Sequence, residues 1–142
     1  MSNTGGHLVL HVEEAKVTRD TELFGTMDPY CEIKFNGKTT KTPVKTDAGK
    51  TPKWNFRMEL EVEDVMAPIL FKIMNKNLMS DDQICHTQDL KIYNLLGPNN
   101  GMTEDFHTYY EKKDRGTIKI RSQFTPNAPA AGTSQASGGG AA

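Results

Sequence analysis

From residue 54 to residue 62 polarity alternates at every step: Trp54, Phe56, Met58, Leu60 and Val62 are apolar, and the intervening Asn55, Arg57, Glu59 and Glu61 are polar. Successive side chains of a strand point to opposite faces, so this segment is a β-strand with one face buried and one wet. The same period of two recurs where Leu8, Leu10 and Val12 interleave with Val9, His11 and Glu13. It recurs again where Cys31, Ile33 and Phe35 alternate with Glu32 and Lys34, and where Ile118 and Ile120 alternate with Lys119 and Arg121. Residues 69–74 make a further strand, more apolar on both faces. Turn chemistry separates the runs, at Asn36 and Gly37, at Ala48 and Gly49, and along Gly97, Pro98, Asn99, Asn100 and Gly101. The pair Asn36-Gly37 specifies a tight hairpin. Only residues 91–96 offer a helical turn. The expected fold is all-β, an eight-stranded antiparallel β-sandwich. Its expected core includes Leu8, Leu10, Val12, Ile33, Trp54, Phe56, Met58, Leu60, Phe71, Ile73, Ile118 and Ile120.

With 142 residues, 36% hydrophobic and 25% charged, the chain has material for one core. It lacks a run of ~20 apolar residues, which excludes a helical membrane span and points to a soluble protein. Its first residues carry neither a basic nor an apolar stretch, so no secretory signal is read and a cytoplasmic address is expected. Cys31 and Cys85 are too few for a disulfide framework and lack a C-x-x-C spacing; both read as core thiols. Residues 125–142 contain no charge, no aromatic and no aliphatic larger than alanine, and such a segment does not offset its ordering entropy. The expected division is a sandwich domain over residues 1–124 and a disordered low-complexity tail over residues 125–142.

A net charge of −1 hides an asymmetry, because Lys34, Lys38, Lys41, Lys45, Lys50 and Lys53 fall in one stretch whose only acid is Asp47. A basic strip on an otherwise acidic chain suggests an anionic partner for one face. The competing reading is an edge strand protected by lysines.

Several motifs then follow one another in order. Leu8-Val9-Leu10-His11-Val12-Glu13-Glu14-Ala15 fits an opening L-x-V-x-V-x-x-A strand, and Gly25-Thr26-Met27-Asp28-Pro29-Tyr30 fits Gly-x-x-Asp-Pro-Tyr. A lysine- and threonine-rich strand leads to Thr51-Pro52-Lys53-Trp54-Asn55, Ser80-Asp81-Asp82-Gln83-Ile84 forms an acidic turn, and Gly116-Thr117-Ile118-Lys119-Ile120 closes the chain. Together these resemble a C2 domain over residues 6–124. One strand precedes the Asp-Pro-Tyr loop and a full strand closes the domain, which implies the family's type II topology. The layout is also similar to small plant and protist proteins that consist of one C2 domain and little else.

The resemblance implies a calcium site at one end of the sandwich, built from Glu22, Asp28, Asn75, Asn77 and Asp81 or Asp82. Calcium takes six to eight oxygens at about 2.3–2.6 Å, and affinity follows carboxylate number and loop rigidity. This chain departs from the family's pattern: Glu22 stands for an aspartate, Asn75-Lys76-Asn77 for Asp-x-Asp, and the third loop is one residue shorter. Each lost carboxylate costs on the order of tenfold in affinity, so Ca2+ is expected as a weak ligand. In the competing reading these acids are turn residues of a domain that has lost calcium.

Apolar pairs accompany the acidic loops, Leu23-Phe24 and Leu78-Met79, and loop tips of that kind enter something apolar or fold back on the core. The resemblance assigns such tips to the bilayer interface. It matches Lys34, Lys41 and Lys45 to the family's basic lipid-recognising cluster, with Lys53 beside them. Basic residues at an anionic leaflet contribute ~1 kcal/mol each, so four give only about a millimolar dissociation constant. One or two inserted apolar side chains at ~1.5–3 kcal/mol each bring the total to the micromolar range.

Chemistry of other kinds finds little footing. His7, His11, His86 and His107 are scattered, no G-x-S-x-G or P-loop occurs, and neither cysteine has an activating neighbour in sequence, so an enzyme is not expected. The acidic remainder and the lack of an aromatic platform beside the lysines argue against nucleic acid. The expected function is that of a monomeric, peripheral membrane-targeting module that binds anionic phospholipids with weak or degenerate Ca2+ dependence. The alternative is a Ca2+-independent interaction module for an acidic protein partner.

Overall fold

The computed structural model describes residues 5–128. The strands are β1 (Gly6–Val17), β2 (Pro29–Phe35), β3 (Lys38–Lys41), β4 (Lys53–Val62), β5 (Pro68–Asn75), β6 (Asp82–Thr87), β7 (Leu90–Lys91), β8 (Gly101–Tyr110) and β9 (Lys113–Pro126). Among the described residues one 3-10 turn, Ile92–Leu95, tucks two apolar residues inward at the place where the sequence offered a helical turn. The two-residue β7 pairs with β5, and the other eight strands run in the order β3-β2-β5-β6-β8-β9-β1-β4 with antiparallel pairing throughout. The link between β6 and β8 is only His86 opposite Tyr109 and Thr87 opposite Thr108, so the sheet folds over there into two layers. The layer β3-β2-β5-β6 faces β8-β9-β1-β4 across the core, which is the sandwich that the alternation requires. One strand precedes the Asp28-Pro29-Tyr30 segment, and β9 closes the domain beside β1, the arrangement on which the type II expectation rests.

The hairpin between β2 and β3 turns through Asn36 (φ 54) and Gly37 (φ 78), with Phe35 opposite Lys38. Two left-handed residues match the strand twist, and asparagine and glycine adopt them most easily. Gly116 (φ 113) lets β9 approach β1 closely, because a Cβ there would lie 2.0 Å from the Lys16 carbonyl oxygen.

Leu8, Leu10, Val12, Ile33, Trp54, Phe71, Ile73, Ile118 and Ile120 are buried as expected. Phe56, Met58 and Leu60 are only partly buried. They sit on β4, an edge strand, and across from Met58 and Leu60 the short β3 leaves the sandwich open along a groove of about 510 Å³ lined also by Ile33 and Phe35. Alternation says which face turns inward, and edge position decides how completely that face is covered. Cys31 and Cys85 are buried free thiols, with burial pushing the Cys85 thiol up to about 11 and Cys31 higher still.

The domain runs slightly past the expected boundary at residue 124. Thr125 pairs with His7, Pro126 pairs with Gly6, and the Asn127 N–H donates to the Gly5 carbonyl at 3.0 Å, so backbone pairing carries β9 onward despite the change in composition. The remainder of the expected tail, from residue 129, lies outside the described residues. Among the described residues no helix is long and apolar enough to cross a membrane.

Candidate functional site

Three loops meet at one end of the sandwich: the first over residues 18–28, the second over residues 42–52 and the third over residues 76–81. Asp28 is their junction. Its N–H donates to Asn75 Oδ1 (2.8 Å), its carbonyl accepts the Lys76 N–H (3.0 Å), and its Oδ1 accepts the Asp47 N–H (2.7 Å). One residue therefore ties the first loop to the other two. Met27 beside it is fully buried, and its carbonyl accepts the Gly49 N–H at 3.1 Å.

Two sequence motifs also meet here. The Pro29 carbonyl accepts the Lys45 N–H (2.9 Å) and the indole Nε1–H of Trp54 (3.2 Å), so the Asp-Pro-Tyr segment and the Trp-Asn segment share one acceptor. Asn55 follows at φ 45, where the pairing of β4 with β1 shifts register, a backbone state that asparagine tolerates better than most residues.

The acids and asparagines of the candidate calcium set are linked by hydrogen bonds. Asn75 Nδ2 donates to Glu22 Oε2 (2.6 Å) and Thr21 Oγ1 (2.9 Å), and stands 3.3 Å from Asn77 Oδ1. Asn77 Nδ2 donates to Asp82 Oδ2 (2.9 Å) and the Ser80 carbonyl (3.0 Å), and the Asn77 N–H donates to Asp81 Oδ1 (2.9 Å). The Tyr30 hydroxyl donates to Asp81 Oδ2, and Lys76 Nζ lies 3.9 Å from the same oxygen. These donors hold the Asp81 carboxyl below the usual carboxylate range, the tyrosine foremost, while burial and then Asp81 push the Tyr30 phenol up. The phenol thus stays a donor at neutral pH.

This donor set does not fit a calcium ion as folded. The Asn75 oxygen is taken by a backbone N–H, both Asp81 oxygens are taken, and the amide nitrogens of Asn75 and Asn77 occupy the approaches to Glu22 and Asp82. Among the described residues no three acidic, histidine or cysteine side chains are grouped so as to hold a metal. Calcium needs six or more oxygens free to turn toward it, and here the Asn75, Asn77 and Asp81 oxygens already accept N–H or O–H groups, which leaves one uncommitted carboxylate oxygen each on Glu22, Asp28 and Asp82.

Outside this network the loops carry their apolar tips into solvent. Leu23 is 91% exposed, Phe24 88%, Leu78 100% and Met79 93%, so none of the four folds back on the core. Val44, on the second loop, is exposed too. Only Met66 and Tyr93, among the exposed large apolar side chains of the described residues, lie on other segments.

Register sorts the lysines. Lys41 pairs with Glu32 across β3 and β2, and Glu32 pairs with Lys72 across β2 and β5. Since Cys31 and Ile33 point into the core, Lys34, Lys41 and Lys72 share the outer face of that layer. Glu32 lies 3.9 Å from both Lys34 and Lys41 and offsets part of their charge. Lys41 also sits 5.8 Å above the Tyr30 ring. Lys45 belongs to the second loop, beside Pro29, and Lys53 begins β4 in the other layer, away from the Lys34 and Lys41 face. Lys72, absent from the sequence-based candidates, joins through a register that its flanking polarity alone does not disclose.

A β-sandwich module that presents three pinned loops, exposed apolar tips and a lysine face defines a class of surface-docking domains. The family model described as C2 domain matches residues 6–106, and the chain belongs to that family. The membership supports a membrane-targeting module in general terms. The chain is 29% identical over 129 residues to the Protein SRC2 homolog of Arabidopsis thaliana, covering 82% of this chain and 40% of that protein. It is 24% identical to Elicitor-responsive protein 3 of Oryza sativa subsp. japonica, with 85% of this chain and 84% of that protein covered. In structure it is similar to a C2 domain of a plant Extended Synaptotagmin 1, with a TM-score of 0.76, 20% identity, and 89% and 99% of the two chains covered. The chain thus spans less than half of the first of these relatives and most of the second.

Proposed function

We propose that this C2 domain is a non-catalytic, peripheral membrane-docking module that sets its loop end against the anionic cytoplasmic leaflet, with calcium contributing little. The observation that carries this reading is the exposure of Leu23, Phe24, Leu78 and Met79 at one end of the sandwich, on loops whose bases are hydrogen-bonded together. Apolar side chains so exposed and so grouped gain the most stabilisation when they leave water for an apolar phase. The outer lysines Lys34, Lys41 and Lys72, together with Lys45, supply attraction to phosphate-bearing headgroups.

Co-sedimentation of the chain with vesicles tests the reading. Binding to phosphatidylserine-containing vesicles in chelator, weaker binding to neutral phosphatidylcholine vesicles, and little gain on adding calcium are expected. Absence of sedimentation with anionic vesicles in both conditions would refute it and turn attention to an acidic protein partner for the lysine face.

A further inference from the structure

Asn75 closes β5 with its side chain fully buried, and both ends of its amide are committed. A backbone N–H only donates and an ionised carboxylate only accepts, so Asp28 and Glu22 together dictate which end is oxygen and which is nitrogen. The same logic orients Asn77, whose NH2 faces the Ser80 carbonyl and the Asp82 carboxylate. Two neutral amides therefore aim N–H dipoles at acids from both sides of the site, and the Asn77 N–H and Tyr30 hydroxyl do the same for Asp81.

We propose that Asn75 and Asn77 take the positional role of a divalent cation, fixing the first and third loops in their docking shape without calcium. A carboxylate in place of either amide would face Glu22 or Asp82 across less than 3 Å and would call for a cation between them. Asn75 reaches Glu22 and Thr21 of the first loop and Asn77 of the third, so this single residue spans the gap that an ion would bridge. The inference deepens the docking reading, on which only its vesicle arm rests.

Thermal unfolding of the full chain in chelator and in millimolar calcium chloride tests it, comparing the natural chain with Asn75→Asp/Asn77→Asp. The natural chain is expected to melt at one temperature in both conditions. The double variant is expected to melt about 5–10 °C lower in chelator and to recover most of the loss in calcium, because two donors become repelling acids. Its sedimentation with phosphatidylserine vesicles should then require calcium. A natural chain stabilised by several degrees in calcium would overturn the proposal, as would a double variant that melts like the natural chain in chelator. If the buried Asn75 substitution prevents folding, Asn77→Asp alone, at a partly exposed site, carries the test with the same expected pattern. A melting temperature for that variant unchanged in chelator overturns the proposal. Vesicle binding absent in the natural chain, with the melting pattern intact, refutes the docking reading and leaves the amide role standing.

Discussion

Removing the side chains of Phe24 and Leu78 together is the sharpest perturbation of the docking reading. Full transfer of a large apolar side chain from water is worth about 1.5–3 kcal/mol, and alanine keeps a fraction of it, so each truncation removes about 1–2 kcal/mol. The pair should weaken vesicle binding on the order of 30- to 1,000-fold. Electrostatics contributes less than the lysine count suggests. At the loop end Arg19, Lys45, Lys50 and Lys76 stand against Asp20, Glu22, Asp28, Asp47, Asp81 and Asp82, a net acidic set, so the attraction comes from the outer face, where Glu32 offsets one of Lys34, Lys41 and Lys72. At ~1 kcal/mol per net charge, the attraction is worth about 1–2 kcal/mol. Raising salt shortens the Debye length from about 10 Å at 0.1 M to about 3 Å at 1 M, and should therefore lower affinity by about tenfold or less. The assay is titration of Phe24→Ala/Leu78→Ala and the natural chain with phosphatidylserine vesicles at both salt concentrations. Because Phe24 is 88% and Leu78 100% exposed, the variant should melt with the natural chain, which separates lost insertion from lost folding. A double variant that binds as the natural chain does, while high salt abolishes binding of both, would refute the insertion argument.

Charge reversal at Lys34 and Lys41 should weaken binding to the same vesicles by tenfold or more, since about 1 kcal/mol of attraction per lysine becomes repulsion beside Glu32; equilibrium sedimentation reads it. Phe71→Ala, at a site with no exposure, should cost about 3–5 kcal/mol of stability, measured as a lower urea midpoint with an unchanged slope. His7 donates to Glu61 and Glu59 across β1 and β4, which raises its pKa above 6.5. A raised folded value means the contact stabilises fully below pH 6.5 and is lost as pH rises through the folded pKa. Amide exchange along β1 and β4 should accordingly quicken across that window beyond its intrinsic base catalysis, and His7→Gln should remove the excess.

Alternation makes the strands legible because a half-buried strand must separate its two kinds of side chain, and Asn36-Gly37 makes the hairpin legible because few other pairs adopt two left-handed residues. Coverage is not legible. Phe56, Met58 and Leu60 have the same pattern as Leu8, Leu10 and Val12, yet they are only partly buried because β4 has no neighbour on one side, and Met58 and Leu60 face an open seam. The loop acids are recognisable by position, whereas the destination of Asn75 is not: a polar residue after Met74 reads as the first residue of a loop, and its burial follows from the Asp28 N–H that arrives from another part of the chain. Lys72 escapes notice for the same reason. It lies among apolar residues in sequence, and only the pairing of β5 with β2 places it beside the basic residues of another strand.

Pro29 explains why this end is firm while its tips stand in solvent. Proline has no N–H to place, so the backbone donor nearest the junction is that of Asp28, and it is free to meet the Asn75 oxygen. The Pro29 carbonyl meanwhile gathers the Lys45 N–H and the Trp54 indole, tying the second loop and β4 to the same point. Each loop is held at its base by bonds to another loop, leaving only the apices at Leu23, Phe24, Leu78 and Met79 uncommitted. Ordering a floppy segment on binding removes part of the gain from contact, at about 0.5–1.5 kcal/mol for each rotamer-rich side chain immobilised. With the backbone already fixed, that loss falls on the four apical side chains alone, and most of their transfer free energy remains available for docking.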